Sequence, residues 1–114
     1  MIKIYHNPRC SKSRQTLTLL ENNGIEPEVI LYLQTPPSEK ELRQLLKQLG
    51  ISPRALLRKN EEPYKTLNLD DKNLDDAALI NAMLEHPKLI ERPIVTNGKQ
   101  AVLGRPPENI KALL

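Results

Sequence analysis

Apolar residues recur at two different spacings in the first third of the chain, and each spacing predicts a different element. Lys3-Ile4-Tyr5 reads as a short strand. Further on, Leu17 and Leu20 recur at helical spacing until Asn22-Asn23-Gly24, a signal for a left-handed helix cap. Residues 28–33 are nearly all apolar, which suits a strand buried on both faces. The order strand, helix, strand predicts a βαβ unit.

The next segment has the signals of two helices. Ser38 and Glu41 form a capping box ahead of a leucine stripe, and Gly50 closes this amphipathic helix. Ser52-Pro53 then combines an N-cap with proline at the first helical position, which predicts a short helix running through Arg58.

An acidic run follows, from Asn60 to Asp76, and we interpret it as a solvated connecting face. Asp75 is predicted to cap a further helix that ends at His86-Pro87. The buried stripe of that helix is predicted to consist of Leu79, Ile80, Met83 and Leu84.

The last part of the chain predicts a hairpin and a short helix. Ile94-Val95-Thr96 and residues 100–103 flank Asn97-Gly98, a signal for a two-residue hairpin loop. Pro106-Pro107-Glu108 is predicted to start a helix that ends at Leu114. The two strands are therefore expected to be antiparallel.

The assembled order is β-α-β, a helical insert at about residues 38–86, then β-β-α. This order predicts an α/β fold of the thioredoxin-like type, with a mixed four-stranded sheet and helices on both faces. We expect residues 1–114 to form a single domain, since a chain of this length builds one core.

Composition narrows the class of protein further. A net charge of +3 fits an anionic small substrate as well as a weak nucleic-acid contact. The start of the chain has no long apolar run, so we expect neither a signal peptide nor a membrane span. A single cysteine excludes an internal disulfide and a four-cysteine metal site. The cytoplasm is the expected location, and a redox cycle would need a second thiol from another molecule.

That cysteine, Cys10, lies in a strongly cationic stretch. Residues 6–9 are predicted to form a loop closed by Pro8, and a helix is predicted from Ser11 onward. A thiol at a helix N-terminus near positive charge has a lowered pKa. The first 14 residues contain no acid, and their cations are Lys3, Arg9, Lys12 and Arg14.

Several neighbouring groups have two interpretations on sequence alone. A lone intracellular cysteine is usually a small buried hydrophobe, but the position and charge of Cys10 favour a reactive thiol. His6 is either a structural loop residue or part of the chemistry. Arg14 either neutralises the sulfur or pairs with a carboxylate. A phosphatase loop is excluded because three residues, rather than five, separate Cys10 from Arg14.

Short motifs along nearly the whole chain carry a family resemblance. They are Tyr5-His6-Asn7-Pro8 with Cys10 and Ser13-Arg14, Arg54-Ala55-Leu56-Leu57-Arg58-Lys59-Asn60, His86-Pro87, Glu91-Arg92-Pro93-Ile94-Val95, and Arg105-Pro106. In this order the motifs resemble those of the glutaredoxin-coupled arsenate reductases, a family with a thioredoxin-like fold.

The resemblance assigns roles to particular residues. It implies that Cys10 is the nucleophile that attacks arsenate and that His6 helps to keep the thiol ionised. It also implies that Pro93 is the cis-proline that faces the cysteine loop in thioredoxin-like folds. The arginines that would bind the oxyanion are Arg58, Arg92 and Arg105.

The resemblance also implies a reaction and its partners. The expected protein is a cytoplasmic oxidoreductase of arsenic resistance that uses glutathione as co-substrate and glutaredoxin as partner, with no bound cofactor or metal. We expect a monomer that binds arsenate or a similar oxyanion and has no nucleic-acid or membrane partner.

Two other functions stay open. The residues around the cysteine are Arg9, Ser11 and Lys12, where family reductases usually have a small residue before it and Gly-Thr after it. A glutathione-linked thiol oxidoreductase or sensor of the same fold, without arsenate activity, is therefore one alternative. The other is an Spx-like transcriptional regulator, but Ser13 occupies the position of the second cysteine in the switch of such proteins.

Overall fold

The computed structural model describes all 114 residues and divides them into two compact units. Residues 1–35 and 92–114 form the first, which we call the sheet unit. Residues 36–91 form the second, which we call the helical unit. None of the helices is both long and apolar enough to cross a membrane.

The sheet unit contains four strands, one α-helix and a C-terminal 3₁₀ helix. Its elements are β1 (Lys3–Tyr5), α1 (Ser11–Asn22), β2 (Glu28–Ile30), β3 (Ile94–Thr96), β4 (Ala101–Leu103) and the 3₁₀ helix Pro107–Leu113. The strand order is β2-β1-β3-β4. β1 pairs with β2 in parallel, whereas β3 is antiparallel to both β1 and β4. The predicted mixed four-stranded sheet of thioredoxin-like order is therefore confirmed.

Burial on both faces holds the central strands in place. Ile4 and Val95 are paired across β1 and β3, and they form one core cluster with Leu20 of α1 and Ile110 of the 3₁₀ helix. Their sequence neighbours point to the opposite face because side chains alternate along a strand, and Ile94 there is buried as well. Burial of α1 against this sheet brings its first residues close to the end of β1.

β2 differs from its prediction in length and in burial. It ends at Ile30 rather than at residue 33, and Val29 is 43% exposed. The reason is that β2 is an edge strand with β1 as its one neighbour, and an apolar run does not encode the position of a strand within a sheet. Tyr32 lies beyond the strand in a turn and is buried there.

The helical unit begins with the two helices whose caps the sequence predicted. Its elements are α2 (Glu39–Leu49), α3 (Pro53–Leu56), α4 (Glu62–Thr66), α5 (Asp76–Glu85) and the 3₁₀ helix Pro87–Leu89. Ser38 and Glu41 form the predicted capping box, and Gly50 adopts the left-handed conformation with φ 70°. The Ser52 and Asp75 side chains accept hydrogen bonds from the first turns of α3 and α5.

Three predictions of local structure were wrong in detail. α3 ends at Leu56 rather than at Arg58, because Leu57 is extended and bridges to Ile90. The acidic run is largely exposed, as predicted, but it contains the unpredicted helix α4, which has no buried residue and therefore no apolar stripe to reveal it. Leu84 of α5 is only partly buried.

The hairpin turn is shifted by one residue. The backbone N–H of Asn97 donates to the carbonyl of Gln100, so the turn is centred on Gly98 and Lys99. Gly98 has a φ of 94°, which suits a residue without a Cβ, and the Asn97 side chain accepts from the N–H groups of Lys99 and Gln100. The β-hairpin itself is as predicted.

Candidate functional site

Cys10 is the N-cap residue of α1, as its sequence position predicted. Its backbone is extended, and its carbonyl accepts the first intrahelical hydrogen bond, from the N–H of Arg14 at 3.0 Å. The residue is buried, with 9% of its surface exposed. The thiol therefore lies beside the unpaired N–H groups that begin a helix.

The surroundings of Cys10 favour the thiolate. Burial raises the pKa of the thiol, but the backbone N–H of Ser13, the hydrogen bond and charge of Arg92 and the backbone N–H of Lys12 together lower the pKa below its ordinary value. The thiol makes no capping hydrogen bond of standard geometry. The N–H groups at the start of a helix carry partial positive charge, which stabilises negative charge on the sulfur.

Two of the predicted arginines reach the sulfur from the end of the sheet. Arg92 precedes β3, and because Tyr5 pairs with Ile94, Arg92 lies beside the loop that follows β1. Its Nε and Nη1 atoms are buried. Arg105 follows β4, and its Nη1 lies 3.9 Å from the Cys10 Sγ and 3.4 Å from the Arg92 carbonyl oxygen. The structure thus brings together Cys10, Arg92 and Arg105.

Each of these arginines precedes a cis-proline. The peptide bond between Arg92 and Pro93 is cis, as the resemblance implied. The bond between Arg105 and Pro106 is also cis, which the sequence analysis did not predict.

His6 is buried in the loop between β1 and α1, and its contacts are with the protein rather than with solvent. Its Nδ1 lies 2.6 Å from the Ser13 Oγ, and its backbone N–H donates to the Ile30 carbonyl at 2.8 Å. Burial, and then the positive charge of Arg14, lower the pKa of the imidazole. Both effects favour the neutral imidazole, and the part of His6 in the chemistry stays a prediction.

Arg58, the third arginine, belongs to the helical unit. Its Nε lies 3.8 Å from Oε1 of Glu91, and its backbone N–H donates to the Leu89 carbonyl. The extended residue Leu57 turns the chain out of α3 immediately before it. A role for Arg58 in oxyanion binding stays a prediction of the resemblance.

The other cations near Cys10 are exposed. Arg14 pairs with a carbonyl, that of Pro8, to which its Nη1 donates at 2.8 Å. This contact is different from both roles considered for Arg14. It is neither charge neutralisation of the sulfur nor pairing with a carboxylate. Arg9 and Lys12 are exposed on either side of Cys10, so the rim of the site is positively charged.

Gly104 is a site residue whose structural role the sequence analysis missed. A Cβ at this position would lie 2.5 Å from the Thr16 Oγ1 and 2.8 Å from the Pro93 Cγ. The Gly104 carbonyl accepts from the Thr16 hydroxyl, and its N–H donates to the Pro93 carbonyl. This close approach of β4 to α1 and Pro93 positions the next residue, Arg105. The one sequence feature that could have indicated this close packing is a glycine placed between a predicted strand and the Arg105-Pro106 pair.

Fold and site together define a thioredoxin-like protein with a single cysteine and an arginine cluster. A sequence model of one protein family, described as "ArsC family", matches residues 5–113 of the chain. The chain belongs to the ArsC family.

Three of the similar proteins match over nearly their full length. A protein of Escherichia coli K12 named "Uncharacterized protein YfgD" is 59% identical, over 96% of this chain and 92% of its own. A protein of Neisseria meningitidis named "Arsenate reductase" is 53% identical, over 99% of this chain and 97% of its own. The solved structure titled "Arsenate reductase from Vibrio cholerae" is 61% identical with a TM-score of 0.95, covering 99% of this chain and 97% of its own.

Proposed function

We propose that this protein is an arsenate reductase in which Cys10 is the nucleophile and glutathione and glutaredoxin supply the reducing electrons. The observation that carries the proposal is the convergence of the Arg92 and Arg105 side chains on the Cys10 thiol, whose surroundings lower its pKa. The names of similar proteins support the same activity. Arsenate is a tetrahedral oxyanion, which suits a site made of cations.

Arg92 and Arg105 would hold the oxyanion against the sulfur. A guanidinium group stays charged at any working pH and offers two parallel N–H donors to a pair of oxygens. Positive charge fixed in advance stabilises negative charge as it develops on the arsenate oxygens during attack. Arg58 is proposed as the third arginine on the basis of the family resemblance.

The first step would form a sulfur–arsenic bond. The Cys10 thiolate attacks As(V), one As–O bond breaks, and the oxygen leaves as water after it takes up protons. No electrons are transferred to arsenic at this stage. The burial of Cys10 favours a defined direction of approach for the substrate.

Reduction would follow when an external thiol attacks. The glutathione sulfur attacks the Cys10 sulfur, and the pair of electrons of the S–As bond passes to arsenic, which leaves as arsenite. Cys10 and glutathione are then joined in a mixed disulfide. A glutaredoxin thiolate attacks the glutathione sulfur, and the Cys10 thiolate leaves. A chain with one cysteine needs this external resolution.

A coupled assay tests the proposal. Oxidation of NADPH is followed with glutathione, glutathione reductase and glutaredoxin, over a range of arsenate concentrations, for the wild type and for Cys10→Ser. We expect arsenate-dependent oxidation in the wild type, none in Cys10→Ser and a strong decrease when glutaredoxin is left out. Arg43→Ala is a matched control, since Arg43 is an exposed arginine paired with Glu39 on α2.

Two results would contradict parts of the proposal. Wild-type protein without arsenate-dependent oxidation, but with a low-pKa thiol that forms a mixed disulfide with glutathione, would indicate a thiol oxidoreductase instead. Full activity without glutaredoxin would exclude that partner while leaving the reductase assignment in place.

A further inference from the structure

The Ser13 side chain connects the loop after β1 to the helix that carries the thiol. Ser13 is fully buried. Its Oγ lies 2.6 Å from the His6 Nδ1 and accepts a hydrogen bond of 3.0 Å from the Asn7 backbone N–H. Ser13 is the third residue of α1 and Cys10 is the N-cap, and a backbone N–H at this third position faces the side chain of the N-cap residue. That N–H also helps to lower the pKa of the Cys10 thiol. One residue therefore links the loop to the helix turn that surrounds the sulfur.

These contacts favour one direction for the hydrogen bond between Ser13 and His6. A hydroxyl has one proton to donate and two lone pairs with which to accept. The Asn7 N–H occupies a lone pair, so the hydroxyl proton is available for an acceptor. The His6 Nδ1 is the acceptor at 2.6 Å if that nitrogen carries no proton. The remaining proton of the neutral ring is then on Nε2.

The opposite arrangement is disfavoured by the surroundings of the ring. A proton on Nδ1 would point at the Ser13 oxygen, and the Ser13 hydroxyl would lose this buried acceptor for its own proton. The doubly protonated ring, which would also carry a proton on Nδ1, is disfavoured separately: burial, the Arg14 guanidinium and the positive end of α1 all oppose an imidazolium.

We propose that Ser13 is a positioning residue for the Cys10 nucleophile, and that neutral His6 holds it by accepting the Ser13 hydroxyl proton at Nδ1. The His6–Ser13 pair fixes the first turn of α1 so that the Ser13 N–H is directed at the sulfur. His6 thus acts through Ser13 rather than as a cation beside the thiolate. The proposal rests on the proposed function only in taking Cys10 as the nucleophile.

The rate of alkylation of the Cys10 thiol by iodoacetamide, measured across a range of pH, tests the positioning role of Ser13 without arsenate. Ser13→Ala and His6→Ala should each slow the reaction at neutral pH by roughly two- to tenfold, the size expected for one lost hydrogen bond. Each should also shift the pH profile of alkylation to higher pH. His6→Asn should stay within about twofold of wild type, because an amide oxygen can accept the same proton without a titrating charge. Thr18→Ala, an exposed hydroxyl on α1, is the matched control.

The variants separate two roles for the histidine. If His6→Asn were as slow as His6→Ala, an imidazolium charge would be the active feature and the proposal would be wrong. The double variant Ser13→Ala with His6→Ala should be no slower than Ser13→Ala alone. Additive losses would show that the two side chains act independently, which would also overturn it.

Nitrogen NMR of the wild-type protein gives a test that does not depend on any variant being folded. With ¹⁵N-labelled histidine, long-range proton–nitrogen correlations distinguish a protonated ring nitrogen from an unprotonated one. At pH 7 we expect His6 to have a bare Nδ1 and a protonated Nε2. A proton on Nδ1 would contradict the proposal. Because neither measurement uses arsenate, a failure of the proposed function would not be mistaken for a failure here.

Discussion

The Arg105 Nη1 lies 3.9 Å from the Cys10 Sγ, although 95 residues separate the two in the chain. Strand pairing explains the contact. Tyr5 pairs with Ile94, and Ile94 pairs with Leu103, so the end of β1, the start of β3 and the end of β4 lie side by side at one end of the strands. Arg105 follows Leu103 by two residues and therefore lies at the same end. The sheet register thus determines which cation meets the thiol.

Removal of Arg92 should raise the thiol pKa and weaken oxyanion binding together. Arg92→Ala removes both a hydrogen bond and a positive charge that favour the thiolate. We expect the pKa of Cys10 to rise and the KM for arsenate to increase by roughly tenfold or more, the scale of a lost hydrogen bond to a charged group. Thiolate absorbance against pH and the coupled assay measure the two effects. Unchanged values of both would refute the assigned role.

The KM for arsenate should depend on the shape of the side chain at position 105 as well as on its charge. Arg105→Lys keeps a positive charge but loses the planar pair of donors, so we expect the KM for arsenate to rise in Arg105→Lys and further in Arg105→Ala. The magnitude for alanine is again roughly tenfold or more. Equal KM values for lysine and arginine at this position would mean that charge alone is sufficient.

Arg58 gives a test that separates substrate binding from thiol activation. Arg58 is proposed to bind the oxyanion, whereas the groups that lower the Cys10 pKa are the Ser13 and Lys12 N–H groups and Arg92. We expect Arg58→Ala to raise the KM for arsenate by roughly tenfold while the pH profile of iodoacetamide alkylation stays as in wild type. An unchanged KM would remove Arg58 from the proposed oxyanion site.

The lowered thiol pKa should make the protein more stable as pH rises. Between the pKa of folded Cys10 and that of an unfolded thiol, about 8.5, the unfolded chain binds more protons, so the free energy of unfolding increases with pH. The contribution is complete above the unfolded pKa and is lost as pH falls through the folded pKa. Urea unfolding of wild type and Cys10→Ser at several pH values measures it. A difference between the two proteins that does not increase with pH would contradict a lowered pKa.

Gly104→Ala should destabilise the protein and displace Arg105. The new Cβ would meet the Thr16 side chain and the Pro93 ring at distances that require a shift, and overpacking of this kind costs about 1–3 kcal/mol of unfolding free energy. We expect a lower urea midpoint and a lower kcat/KM. Thr16→Ala removes two of the three closest atoms. The double variant should therefore be more stable than the sum of the single losses predicts; strict additivity would exclude the steric explanation.

Local sequence signals predicted the elements of the fold well. The capping box of Ser38 and Glu41, the cap at Asp75 and the end of α2 at Gly50 were all confirmed, because each depends on residues within one helical turn. The mixed sheet was also predicted from element order. The edge position of β2 was missed because it depends on strands that are distant in the chain. The short helix α4 was missed because it buries no residue and so has no apolar stripe.

The sequence by itself determined the chemistry that is available: one thiol, at the start of a helix, in a stretch of cations without an acid. The sequence also determined where most helices begin, because a capping residue and the N–H groups it binds lie within one helical turn. The tertiary structure decided which distant groups meet that thiol. The contact of Arg105 with Cys10 and the close packing of Gly104 on Thr16 arise from strand pairing and packing. The pairing of Ser13 with His6 depends on how the chain turns between them. Such contacts depend on the three-dimensional register of strands and helices, which no local pattern of residues specifies.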